Sequence, residues 1–175
     1  MKENLVGHYS GQWELFGLDA DDQVIPIQRF TDTVAASQPR VENNRAIVDV
    51  KSSMDMGGEQ PFDMAFIEGV EIEEDGTRGL YFVEIYGQKT IYKEIEPGVW
   101  QSETPLSPQD MAGIVNVTPE NLVKGTKTTT KVVSHPDGQE RHDITTLTYV
   151  EYANPGGQTI TKEFTSMKGF HQRTH

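Results

Sequence analysis

The sequence predicts an all-β fold: a single closed antiparallel β-barrel of about eight to ten strands, with one or two short helical turns. Three observations lead there. Apolar and polar residues alternate over many short runs, the period of a strand with one buried face. Turn-forming residues punctuate those runs at hairpin spacing. The 175 residues carry 7 Phe, 6 Tyr and 2 Trp, with no internal repeat, low-complexity tract or composition break to divide them. One domain covering 1–175 is therefore expected, large enough to fold without a disulfide or metal staple.

The elements follow in order. Tyr9 to Leu18 forms a first strand, stopped by the acidic turn Asp19-Ala20-Asp21-Asp22. Val24 to Ala36 supplies one or two strands, with Pro26 marking an edge or bulge because it has no backbone donor. Arg45 to Ser52 alternates strictly, and beyond Gly57-Gly58 comes Phe62 to Ile72, ending at the turn Glu74-Asp75-Gly76. Leu80 to Tyr86 is apolar on both faces, as where a strand crosses the most enclosed part of a sheet. Lys89 to Ile95 alternates again, and Glu96-Pro97-Gly98 turns the chain into Val99-Trp100-Gln101. Three longer strands close the series: Thr126 to Ser134, Asp143 to Tyr152 and Thr159 to Phe170. Helix-start patterns occur at Ser107-Pro108-Gln109-Asp110 and Thr118-Pro119-Glu120-Asn121, in the link between Glu103 and Lys124.

The charge balance narrows the partners. With 15 Lys and Arg against 27 Asp and Glu, the formal net charge is −12. An acidic surface without a basic stripe is unsuited to a phosphate backbone and is repelled by an anionic membrane leaflet, so neither nucleic acid nor membrane is an expected partner. Exposed strand edges leave a homodimer open. The absence of cysteine excludes disulfides and thiolate-ligated metals. The N-terminal residues Met1 to His8 lack a signal-peptide apolar stretch, and a cytoplasmic location is the expectation.

Gly11-Gln12-Trp13-Glu14 on the first strand resembles the Gly-x-Trp start of lipocalins and fatty-acid-binding proteins, the calycin group. The resemblance extends through Phe66 to Tyr81 and Phe164 to Arg173, a layout similar to bacterial lipocalin-like domains of unknown function. It implies barrel closure by Gly11, Trp13 and Arg173, with the guanidinium packed over the indole in a cation–π contact of about 0.5–2 kcal/mol. It concerns the fold and says nothing about a ligand.

The Thr-rich strands carry a second hint. Thr126, Thr128 and Thr130 share one face, as do Thr146 and Thr148 with Ile144. Threonine is a good former of exposed strand faces, but the same spacing would line an interior with hydroxyls suited to an amphipathic ligand. Trp13, Phe66, Tyr81, Tyr86, Tyr149 and Phe164 are the candidate ligand-binding residues.

For acid–base chemistry the candidates are Glu84, His142 and Glu68, set beside Tyr81 or Tyr86. Glu84 interrupts an apolar strand, where it is either a buried acid or the partner of a strand-face Lys or Arg. His171 and His175 have helix spacing but no third ligand nearby, so no metal site and no cofactor are expected. One alternative comes from resemblance: the nitrobindins, small lipocalin-like barrels, bind ferric haem through a His near the C-terminal end, the position of His171. No Ser-His-Asp, phosphate-loop or Rossmann pattern is present. The leading expectation is a small-molecule-binding barrel that accepts an amphipathic organic ligand. The alternatives are a lyase, cyclase or isomerase on the same scaffold, and haem binding through His171.

Overall fold

The computed structural model describes residues 6–76, 78–106, 126–135, 141–154 and 156–174. Eleven strands form one sheet: β1 Gly7–Leu18, β2 Val24–Ala36, β3 Arg40–Glu42, β4 Arg45–Asp55, β5 Phe62–Ile72, β6 Arg78–Ile85, β7 Gln88–Glu96, β8 Val99–Leu106, β9 Thr126–His135, β10 Arg141–Ala153 and β11 Thr159–Thr174. Neighbours are antiparallel throughout, in the order β2-β1-β11-β10-β9-β8-β7-β6-β5-β4-β3. No helix occurs among the described residues, and the two helix-start sequences lie outside them.

Local chemistry sets the hairpins. Asn43 and Asn44 both adopt positive φ, at 50° and 57°, which makes the primed turn that joins β3 to β4 with the twist a hairpin requires. Tyr86 and Gly87 do the same between β6 and β7, at 49° and 77°. β3 is three residues of exposed side chains and carries no apolar alternation, so the sequence offers no pattern for it.

The sheet curls strongly, but it is a half-barrel, open rather than closed as the sequence suggested. β2 reaches β4 only from Thr31 to Ala36, against Asp55 to Val50. Among the described residues its first half, Val24 to Phe30, pairs with β1 alone. There Pro26 lacks a donor, a bulge falls between Leu15 and Phe16 of β1, and β4 ends at Asp55. Beside the end of the seam Val24, Ile25 and Ile27 are exposed.

A bulge in β11 fixes what faces inward. His142, Ile144 and Thr146 of β10 pair with His171, Gly169 and Met167, whereas Thr148 and Val150 pair with Phe164 and Lys162. The extra residue, Ser166, reverses the alternation, so even positions face inward before it and odd positions after it. The packed interior has two parts. Tyr9, Val34, Val48 and Val50 make a cluster against Ala36 and Phe66. Val150, Tyr152 and Phe164 are buried with Thr148, whose hydroxyl donates to Ser166 Oγ at 2.7 Å. On the outer face, fully buried Phe82 lies close to Gly69 and is covered by Lys89 Nζ at 4.7 Å and the Arg45 guanidinium at 5.7 Å from its ring.

The closure of Trp13 by Arg173 does not occur. Arg173 is the cross-strand partner of Tyr9, whereas Trp13 pairs with Gly169. Four strand positions separate Tyr9 from Trp13, a distance of about 14 Å. The guanidinium instead lies 5.6 Å from the Tyr9 ring, and its Nη2 donates to the Val6 carbonyl and the Tyr9 hydroxyl.

Candidate functional site

The curled sheet encloses a cavity of about 350 Å³ whose walls mix aromatic, thioether and titratable side chains. Its polar wall is built around a missing Cβ. Gly11 of β1 is the cross-strand partner of Asp32 on β2 and of His171 on β11. Those two strands are not neighbours, so their side chains can meet only by reaching over β1. Gly11 gives them the room: a Cβ there would stand 2.1 Å from Asp32 Oδ1 and 2.6 Å from His171 Cδ2. Across that gap His171 Nε2 lies 2.8 Å from Asp32 Oδ2. Ser52 Oγ reaches the same carboxylate oxygen at 3.5 Å. Asp32 is 7% exposed, and its Oδ1 is buried without a hydrogen-bond partner.

A second glycine seats the tryptophan. A Cβ on Gly169 would lie 2.4 Å from Trp13 Cε3, so the indole rests on the β11 backbone. Phe30 stacks near-parallel to it at 5.9 Å, and the His171 ring meets it edge-on at 5.0 Å. Trp13 Nε1 is buried without a hydrogen-bond partner among the described residues.

The opposite wall holds a second titratable pair. Tyr81 donates to Glu68 Oε2 at 2.7 Å and contacts the rings of Tyr92 at 5.4 Å and Trp100 at 5.7 Å. Burial pushes the Tyr81 hydroxyl well above its ordinary value, and the Glu68 charge adds to the rise. Burial also raises Tyr92, and a hydrogen bond with Ser102 pulls it part of the way back. His142 sits directly across the β10–β11 ladder from His171, 8% exposed and tilted against Tyr9. A small annex of about 50 Å³ between Tyr9, Phe66 and the two histidines continues the cavity.

The sequence-predicted residues divide by face. Trp13, Phe66 and Tyr81 line the cavity, together with Glu68 and His142. The others do not. Glu84 is on the outer face, where Arg45 Nη1 approaches its carboxylate at 3.5 Å. Tyr86 is 78% exposed in its turn, and Tyr149, on the opposite face of β10 from His142, bonds Glu151. Phe164 is buried in the packed part of the interior, clear of the cavity lining. His171 faces inward, but Asp32 holds its Nε2, the nitrogen that would present to a haem iron. No group of three metal-ligating side chains occurs among the described residues.

Asp32, Tyr92 and Ser52 escaped the sequence reading. Asp32 had a signal: it is the lone acid between Phe30 and Val34 on the apolar face of β2. A carboxylate at such a position is buried by the alternation and must find a partner.

No protein-family model matches the chain, and no curated protein does. Among solved structures the chain is similar to a Bacteroides fragilis protein of YmcC-like fold, described as a candidate exported protein. The two share 8% identity over 97% of this chain and 95% of that one, at a TM-score of 0.38.

Proposed function

We propose that this protein binds a small amphipathic organic molecule in the cavity between β1–β2 and β5–β7. The observation that carries the reading is the convergence of Asp32, His171, Glu68 and Tyr81 on one largely apolar space. A volume of about 350 Å³ lies at the small end of ligand sites. At roughly 30 Å³ per atom-sized unit, the liquid volume of a water, it has room for about a dozen non-hydrogen atoms. Phe30, Met54, Met64, Phe66, Val83 and Ile85 supply the apolar walls. The Thr130 and Thr146 hydroxyls bond each other at 3.1 Å, which leaves less hydroxyl lining for a ligand than the threonine pattern suggested.

The test pairs native mass spectrometry of protein from its own source with a thermal-shift screen of a metabolite library. A one-to-one adduct or a stabilising compound is expected, and its effect should vanish when Val83→Trp fills the cavity but persist in exposed Tyr86→Trp. A screen without any stabiliser or adduct, or stabilisation that survives the filled cavity, refutes the reading.

A second reading, an acid–base enzyme, is favoured by two hydrogen-bonded titratable pairs sharing one cavity. It requires that a bound compound change mass or structure with time, and that His171→Asn stop the change while binding persists. Binding without turnover eliminates it.

A further inference from the structure

The chemistry of the cavity wall also selects the charge of its occupant. We propose that the cavity takes an organic cation, an ammonium group on an apolar body, with Asp32 and Glu68 as counter-charges and Trp13, Phe30, Tyr81 and Tyr92 as the surrounding rings. The proposal rests on the binding reading above and adds a ligand class to it.

Four observations converge. Among the described residues the lining contains two carboxylates and two imidazoles but no Lys or Arg. Five aromatic side chains line it: Trp13 with Phe30 on β1 and β2, Tyr81 with Tyr92 on β6 and β7, and Phe66 on β5. Ring faces carry negative potential and attract a cation that has shed its water, most strongly at tryptophan. Met54, Met64 and Met167 complete the lining with polarisable thioethers. The chain as a whole carries a formal charge of −12, so its field concentrates cations near the opening.

The alternatives fare worse on the same wall. An anion would be desolvated beside two carboxylates. A neutral ligand gains no Coulomb attraction from the two carboxylates, which already bond His171 and Tyr81. A cation gains that attraction from both.

The experiment uses three probes of matched size on the intact protein: benzyltrimethylammonium, its neutral isostere neopentylbenzene, and phenylacetate. Isothermal titration and the fluorescence of cavity-lining Trp13 report binding. The cation should bind about tenfold or more tightly than the neutral isostere, the scale of one desolvated cation–π contact, with phenylacetate weakest. Glu68→Gln, which keeps an acceptor for the Tyr81 hydroxyl, should cut that preference severalfold, whereas Glu84→Gln on the outer face should leave it intact. Equal affinity for the cation and its isostere, or preference for phenylacetate, overturns the charge assignment while leaving a binding cavity. Failure of all three probes also overturns it. The library screen is blind to charge and reports separately whether the cavity binds at all.

Discussion

Gly11→Ala tests the construction of the polar wall. The added Cβ would stand 2.1 Å from Asp32 Oδ1, 2.6 Å from His171 Cδ2 and 2.9 Å from the Phe170 carbonyl oxygen. Each is well inside van der Waals contact, and the last belongs to backbone held in the β1–β11 ladder. Overpacking of a close-packed site costs about 1–3 kcal/mol. Here the displaced group is a buried carboxylate that would lose its imidazole partner, so about 3 kcal/mol is expected. For a chain of this size that is a fall in Tm of roughly 6–12 °C. Urea unfolding followed by tryptophan fluorescence measures it, with Gly58→Ala as control, since its Cβ would meet nothing nearer than the Gln60 carbonyl oxygen at 3.8 Å. In an Asp32→Ala background one of the three clashes is gone, and the cost of Gly11→Ala should shrink by about 1 kcal/mol or more in a double-mutant cycle. Gly11→Ala within about 0.5 kcal/mol of wild type, the scatter of ordinary surface substitutions, would refute the bridge over β1.

Two further outcomes are expected. Tyr81, Tyr92 and Tyr152 all have hydroxyls raised above the ordinary 10.0, in Tyr152 by burial and the bond to Asp22. The folded protein therefore keeps them neutral where the unfolded chain ionises them, so their contribution is complete below pH 10 and lost progressively above it. Tyrosinate absorbance should show these three of the 6 tyrosines titrating only above the ordinary value or on unfolding, and full ionisation at pH 10 without unfolding would contradict it. Phe82→Ala should cost about 3–5 kcal/mol because the ring is fully buried beneath Arg45 and Lys89, whereas Tyr86→Ala should change stability by under about 0.5 kcal/mol. Similar values for the two, by urea unfolding, would show that the outer-face cluster contributes nothing.

Much of the sheet was legible in the residues. Val24 to Ala36 and Phe62 to Ile72 have the bounds the alternation predicted, and the other strands differ mainly by extension at their ends. Hydrogen-bonded ladders lengthen strands past the point where apolar periodicity fades, as in β8 from Gln101 to Leu106. The site was less legible. Trp13 was named from the Gly-x-Trp resemblance, and Glu68 and His142 as titratable groups that could pair with a lumen Tyr; these three, with Phe66 and Tyr81, line the cavity. Tyr86 and Tyr149 lie off the cavity because aromatic character in a strand does not say which face the residue takes, whereas Glu84 pairs with Arg45, the second of the two roles its position allowed.

What the sequence determined is local: the strand period, the turns and the excess of negative charge, each written in residues that are neighbours in the chain. What tertiary structure decided is which of those residues meet. The bulge at Ser166 reverses the inward parity of β11 and so brings His171 into the cavity, and Gly11 lets it reach Asp32, 139 residues earlier, across an intervening strand. Neither outcome follows from periodicity, because a one-residue slip in a ladder exchanges its two faces without changing the alternation of the sequence.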